Sequence, residues 1–129
     1  MKAIKTEIKG EALTIINATN TALAAESGSL PVFGSPFMIA LMEKATCEAI
    51  AEYLDEDETT VGTAMDITHC KASGIGTVVT ACANLTTIDG RKLVFDVVAK
   101  DNNGELIGSG TIERFVVNSE KFLRKVEAK

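Results

Sequence analysis

The amino-acid sequence predicts an α+β protein in which a curved, mostly antiparallel five-stranded sheet curls around one long central helix. Three observations carry this. A single long helical stretch follows residue 34, period-two segments occupy most of the chain after residue 60, and the links between those segments are too short for parallel crossovers. With 129 residues the chain fits one domain, residues 1–129, whose core needs no disulfide or metal staple.

The elements follow in order. Residues 3–16 (AIKTEIKGEALTII) alternate imperfectly and read as a broken strand, with Gly10 as a bend or bulge. A short helix is expected over 19–26, with Thr19 as its N-cap, and Ser27 to Gly34 (SGSLPVFG) reads as a loop. The segment SPFMIALMEKATCEAIAEYLD then starts with Ser35 as N-cap and Pro36 in the first turn, and meets no breaker before Asp55. Lys44, Glu48 and Glu52 fall within about 80° on a helical projection, a narrow solvated stripe on a helix otherwise apolar enough to be largely wrapped.

Past the acidic turn LDEDETT, residues 61–71 alternate, with Val61, Thr63, Met65, Ile67 and His69 on one face and Asp66 on the other. Residues 77–88 form a second β-rich run closed by Asp89-Gly90. Residues 91–100 turn Leu93, Phe95, Val97 and Ala99 inward, and residues 105–117 follow the Asn103-Gly104 turn. The terminal SEKFLRKVEAK reads as a short helix.

Composition narrows function. Eighteen acidic against 13 basic residues give a net charge of −5, which disfavours nucleic acid as a partner. No stretch reaches the ~20 apolar residues of a membrane span. The N-terminal MKAIKTEIKGE lacks a signal-peptide apolar region, so a cytoplasmic location is expected. Cys47, Cys70 and Cys82 are odd in number and widely spaced, as for reduced core thiols, and one histidine without CxxC or HExxH argues against a conventional zinc site.

Four side chains break the pattern. Glu43 projects about 140° from the centre of the solvated stripe, in a row with Ile39, Cys47 and Ile50, so a carboxylate is aimed at the core. There it is either satisfied by neighbouring polar groups or has a chemical purpose. His69 extends an apolar strand face, either as a structural residue or, with Glu43, as equipment for moving protons near neutral pH. Ser35 is by default a helix cap, but its hydroxyl also stands at the positive end of the helix dipole. Arg114 alternates with Ile112 and Val116, and either pairs with an acid or reaches an anionic ligand.

Together PVFGSPFMIALMEKA, VGTAMDITHCKA and IGSGTIERFVV resemble the fluoroacetyl-CoA thioesterase family of hot-dog-fold proteins, over about residues 30–126. The resemblance implies the hot-dog architecture, a homodimer pairing its sheets edge to edge, and active sites at the subunit interface. It implies a catalytic set of Ser35, Glu43 and His69, with Ser35 standing where the characterised enzyme carries Thr. Gly62 matches a glycine whose backbone lies beside the thioester, and Arg114 matches the Arg of a Gly-Thr-x-Glu-Arg stretch; with Phe33 these form the substrate-binding set. Pro36 stands in place of a glycine, and SGSLPVFG offers Leu30, Val32 and Phe33 where the fluoroacetyl enzyme has lid aromatics. The implied activity is hydrolysis of a small acyl-CoA with no metal or other cofactor. The CoA phosphates would be met by Arg114, Lys71, Arg91 or Lys92. The alternative is a non-catalytic hot-dog protein that binds acyl-CoA or a small acid as a sensor or carrier; the Asp/His motif of the hydratase branch is absent.

Overall fold

The computed structural model describes residues 1–4 and 6–128. Strands β1 (Lys9–Ile15), β2 (Glu58–His69), β3 (Val78–Asp89), β4 (Lys92–Lys100) and β5 (Leu106–Asn118) form one sheet in the order β1-β3-β4-β5-β2, antiparallel throughout. Helix α2 (Ser35–Ile50) lies across it; α1 (Ala22–Ala25) precedes α2, and α3 (Ser119–Glu127) ends the chain. The hairpin turns carry glycine where a positive φ is required, +61° at Gly90 and +78° at Gly104.

The core forms where the apolar stripe of α2 (Met38, Leu41, Met42, Ala45, Ala49, Ile50) meets the inner faces of β3 and β4, including Val79, Ala81, Leu93, Phe95 and Val97. The helix is shorter than its sequence pattern and passes into a 3-10 turn at Ala51–Tyr53. It is also less wrapped than expected. The sheet covers one side only, leaving Ala40, Lys44, Cys47 and Glu48 exposed and Glu43 half-buried on a flank.

Several local expectations are corrected. The N-cap of α1 is Thr21, whose hydroxyl accepts from the Ala24 amide at 3.1 Å, in place of Thr19. The N-cap of α2 is Gly34, so Ser35 is the first helical residue and its hydroxyl is not consumed by capping. The first strand begins at Lys9, and Gly10 is no bulge, since the β1–β3 register runs unbroken from Lys9↔Asn84 to Ile15↔Val78. Gly10 is needed for close approach: a Cβ there would run into the carbonyl oxygen of Ala45 and reach 2.5 Å from the Ala49 nitrogen. Nor are the cysteines core thiols, for Cys47 lies on the open flank of α2 and Cys70 just beyond β2, both exposed, with Cys82 half-buried.

The most consequential correction lies in β2. Gly62 pairs with Arg114 and Ala64 with Glu113, so Thr63 is the extra residue of a β-bulge. A bulge shifts the side-chain alternation by one. Thr60 and Gly62, rather than Val61 and Thr63, therefore share the inner face with Met65, Ile67 and His69, opposite Val116, Arg114, Ile112, Gly110 and Gly108 of β5.

Candidate active site

His69 ends β2 opposite Gly108. A Cβ at Gly108 would lie 2.7 Å from the sulfur and terminal methyl of Met38, so the glycine lets the first turns of α2 settle on β5. Ser35, one turn before Met38, is thereby delivered to the imidazole, with Oγ 2.7 Å from Nδ1. With the hydroxyl donating to Nδ1, the ring proton resides on Nε2, which is buried and has no partner within the protomer. Burial pushes the His69 pKa below its ordinary 6.5, and an interaction with the Lys71 backbone offsets part of that effect. Burial thus favours the neutral ring.

A cavity of about 270 Å³ opens beside this pair, lined among others by Ala22, Val32, Phe33, Ser35, His69 and Lys71. Phe33 is 1% exposed, and its amide donates to the Ser73 carbonyl at 2.8 Å. It is a fixed wall of the cavity. Bridges from Thr21 to Phe33 and from Val32 to Gly74 hold the segment in place.

Glu43 belongs to a second group. Its Oε2 accepts from Arg114 Nη1 at 2.9 Å, while Arg114 Nε donates to Thr60 Oγ1 at 2.9 Å and Nη2 to the Thr60 carbonyl at 3.0 Å. Arg114 is 7% exposed and uses three of its nitrogens in these bonds, so of the two roles open to it the acid partner is the one observed. A Cβ at Gly62 would lie 2.8 Å from Glu43 Oε2, which makes that glycine the floor beneath the carboxylate. The Glu43 side chain remains 32% accessible, reachable from the open side of β2.

The structure therefore brings Ser35, His69 and Phe33 together, and separately Glu43, Gly62 and Arg114. It does not join the two groups within one protomer. Ser35 and Glu43 are eight residues apart on α2, about 12 Å of helix, and Gly62 and His69 lie about 20 Å apart along β2. Strand β2 is an edge of the sheet, with Met65 42% exposed and Asp66 on the outward face.

The remaining candidate cations are largely engaged. Lys71 is bound by the carboxylates of Asp101 and Glu105, Lys92 lies 3.9 Å from Glu113, and Arg91 donates to the Val116 carbonyl at 3.4 Å. Among the described residues no cluster of His, Cys, Asp and Glu is grouped to hold a metal ion, and no helix is long and apolar enough to cross a membrane. Sequence reasoning missed Thr60, which anchors Arg114, because its inward orientation depends on the bulge. Nor does the sequence carry a local sign that Gly108 makes room for the Met38 side chain.

Comparison with known proteins agrees with this fold. The family model FlK, fluoroacetyl-CoA-specific thioesterase, matches residues 16–120. The fluoroacetyl-CoA thioesterase of Streptantibioticus cattleyicolor is 46% identical over 98 residues, 76% of this chain and 70% of that protein. A crystal structure of fluoroacetyl-CoA thioesterase FlK superposes with a TM-score of 0.90 at 34% identity, covering 99% of this chain and 98% of that one. A thioesterase superfamily member from Thermus thermophilus, 24% identical, shares the fold at a TM-score of 0.89 over 99% of this chain and 96% of its own. With the match extending across most of the chain and the same curled sheet and central helix in both, this protein belongs to the fluoroacetyl-CoA-specific thioesterase family of hot-dog-fold enzymes.

Proposed function

We propose that this thioesterase hydrolyses a small acyl-CoA to the carboxylic acid and free CoA, as a homodimer in which each site combines Ser35 and His69 of one subunit with the partner's Glu43. The observation that carries the reading is the division of the site. Two chemically complementary groups, each half-open, lie on the inner face of one edge strand, and one of them holds a buried imidazole N–H without a partner. Pairing β2 with its twofold copy about Asp66, which sets Met65 opposite the partner's Ile67 and the bulged Gly62/Thr63 pair opposite one residue, satisfies the open strand edge. It also brings His69 alongside the partner's Gly62, and so to the partner's Glu43. Variants of the FlK enzyme have been solved in complex with acetyl-CoA and with fluoroacetate and CoA, which supports a CoA ester as the ligand here.

In this assembly Arg114 fixes one oxygen of Glu43 and leaves the other to act. The free oxygen takes a proton from water as that water adds to the thioester carbonyl, and the developing oxyanion is met by backbone N–H groups at the start of α2 or beside Gly62. As the C–S bond breaks, His69 gives its Nε2 proton to the departing sulfur and takes the Ser35 proton at Nδ1. The proton held by Glu43 then passes to Nε2 as Nδ1 returns its proton to Ser35, so the cycle closes. Direct addition of Glu43 to the carbonyl would instead pass through an anhydride, and single turnover in ¹⁸O water separates the routes by label in the enzyme carboxylate. The chemistry needs no metal, and three unpaired cysteines suit a reducing, cytoplasmic setting.

The test is thiol release over a panel of acetyl-, fluoroacetyl-, branched and longer acyl-CoAs. Glu43→Ala and His69→Ala are each expected to lower kcat by about 100-fold or more. Co-expressing the two inactive chains regenerates one intact site in each mixed dimer, about a quarter of parental activity for random pairing. Activity within a few-fold of the parent in either single variant overturns the assignment; saturable binding without turnover selects the sensor or carrier role.

A further inference from the structure

The ligand of this site is polyanionic, yet the described residues around the cavity offer it little positive charge. Lys71, the cavity's lysine, is matched against two carboxylates, and Arg114 is buried against Glu43. The densest group of cations lies elsewhere. On α3, Lys121, Arg124 and Lys125 stand at i, i+3 and i+4 and form one basic face about 100° wide. Phe122, Leu123 and Val126 occupy a separate apolar sector, exposed at 37%, 57% and 53%. Lys121 and Lys125 make no ion pair among the described residues, and Arg124 has only an exposed contact with Glu120 at 3.8 Å.

The position of this helix is fixed at its root. The Ser119 amide donates to the Asp57 carbonyl at 2.9 Å, and Asn118 Nδ2 donates to the Asp57 carboxylate at 3.0 Å, so α3 leaves the sheet beside the start of β2. Its own cavity lies at the other end of that strand, about 36 Å away along 12 residues, while α3 itself is only about 13 Å long. A basic helix so placed cannot reach its own subunit's site.

We propose that the basic face of α3 binds the phosphates of the CoA ester held in the partner subunit's cavity. The proposal rests on the twofold pairing of β2 described above. Antiparallel pairing reverses the strand, so the start of β2, with α3 attached, comes to lie beside the end of the partner's β2, where the partner's His69 borders the cavity. The charge fits: three cations spaced over one helical turn face a ligand carrying a pyrophosphate and a 3′-phosphate, on a protein that is otherwise acidic. The apolar sector of the same helix approaches the partner at the end where Leu30, Ile75 and Leu106 are 63%, 57% and 42% exposed.

The experiment uses the full chain. The triple variant Lys121→Glu, Arg124→Glu and Lys125→Glu is expected to raise KM for an acyl-CoA about tenfold or more with kcat within twofold. On the matching N-acetylcysteamine thioester, which carries no phosphate, it is expected to act like the parent. Co-expression with His69→Ala, whose α3 is intact, then decides which subunit's helix serves the site. In the mixed dimer the working His69 sits under the unmodified α3 of the other chain, so a population with parental KM appears. Parental KM in the triple variant overturns the proposal, and so does a raised KM that persists in the mixture, since α3 would then serve its own subunit. If co-expressed Glu43→Ala and His69→Ala chains regain no activity, the shared-site reading fails first. If they regain it while the triple variant keeps parental KM, the role of α3 alone falls.

Discussion

Replacing Gly62 by alanine adds one methyl group at the point where strand β2 and the Glu43 carboxylate meet. The new carbon would lie 2.8 Å from Glu43 Oε2, 3.0 Å from the Met65 methyl and 3.5 Å from Arg114 Nη1. The first two distances are below ordinary contact, and both belong to the ends of side chains that can move. Glu43 would have to retreat by about 0.6 Å, lengthening the 2.9 Å bond that orients it. Since a misplacement approaching 1 Å at a reacting group can cost about 100-fold, kcat is expected to fall about 10- to 100-fold, or roughly 1.4–2.7 kcal/mol of barrier. Stability should change by less than about 1 kcal/mol, because no backbone atom is displaced and alanine is better tolerated than glycine in an extended segment. Thiol-release kinetics and a thermal melt measure the two quantities. A kcat within threefold of the parent, with the fold intact, refutes the claim that Gly62 sets the carboxylate; so does a loss of rate accompanied by a large fall in Tm, which would mark Gly62 as purely structural.

The same substitution at Gly10 has the opposite signature. There the methyl meets backbone atoms of Ala45 and Ala49, so α2 must lift from β1, and Gly10→Ala is expected to destabilise by about 2–3 kcal/mol, a fall in Tm of about 10 °C, read by calorimetry. For pH, burial holds the His69 pKa below 6.5 in the folded chain, so the unfolded chain binds the extra proton first. Parental stability should fall relative to His69→Gln as pH drops below about 6.5 and level off beneath the folded pKa, as followed by urea titration. Identical slopes in parent and variant would show that the ring is not desolvated.

Hairpin order, the long helix and the inward residues of β4 were legible in the chain because each rests on a local period or a turn residue. Leu93, Phe95, Val97 and Ala99 are all buried as alternation requires. The anomalous character of Glu43 and His69 was legible for the same reason, since polarity at an apolar position shows without knowing what surrounds it. What surrounds them was not. Thr63 bulges only because β2 must fit β5, and that single extra residue puts Thr60, Gly62 and His69 on one face although 62 and 69 differ by an odd number. Likewise, Ser35 reads as a cap until Gly34 takes that role and Gly108 admits the helix end to the imidazole.

Amino-acid pattern alone thus determined the kinds of element and the kinds of chemistry, because both depend on neighbours within a turn or two. Tertiary structure decided which groups meet. It tied Glu43 to Arg114 and Thr60, gave Ser35 to His69, and left β2 on an open edge with one of these two groups toward each end, outcomes set by contacts between residues 34 to 71 positions apart that no local period encodes.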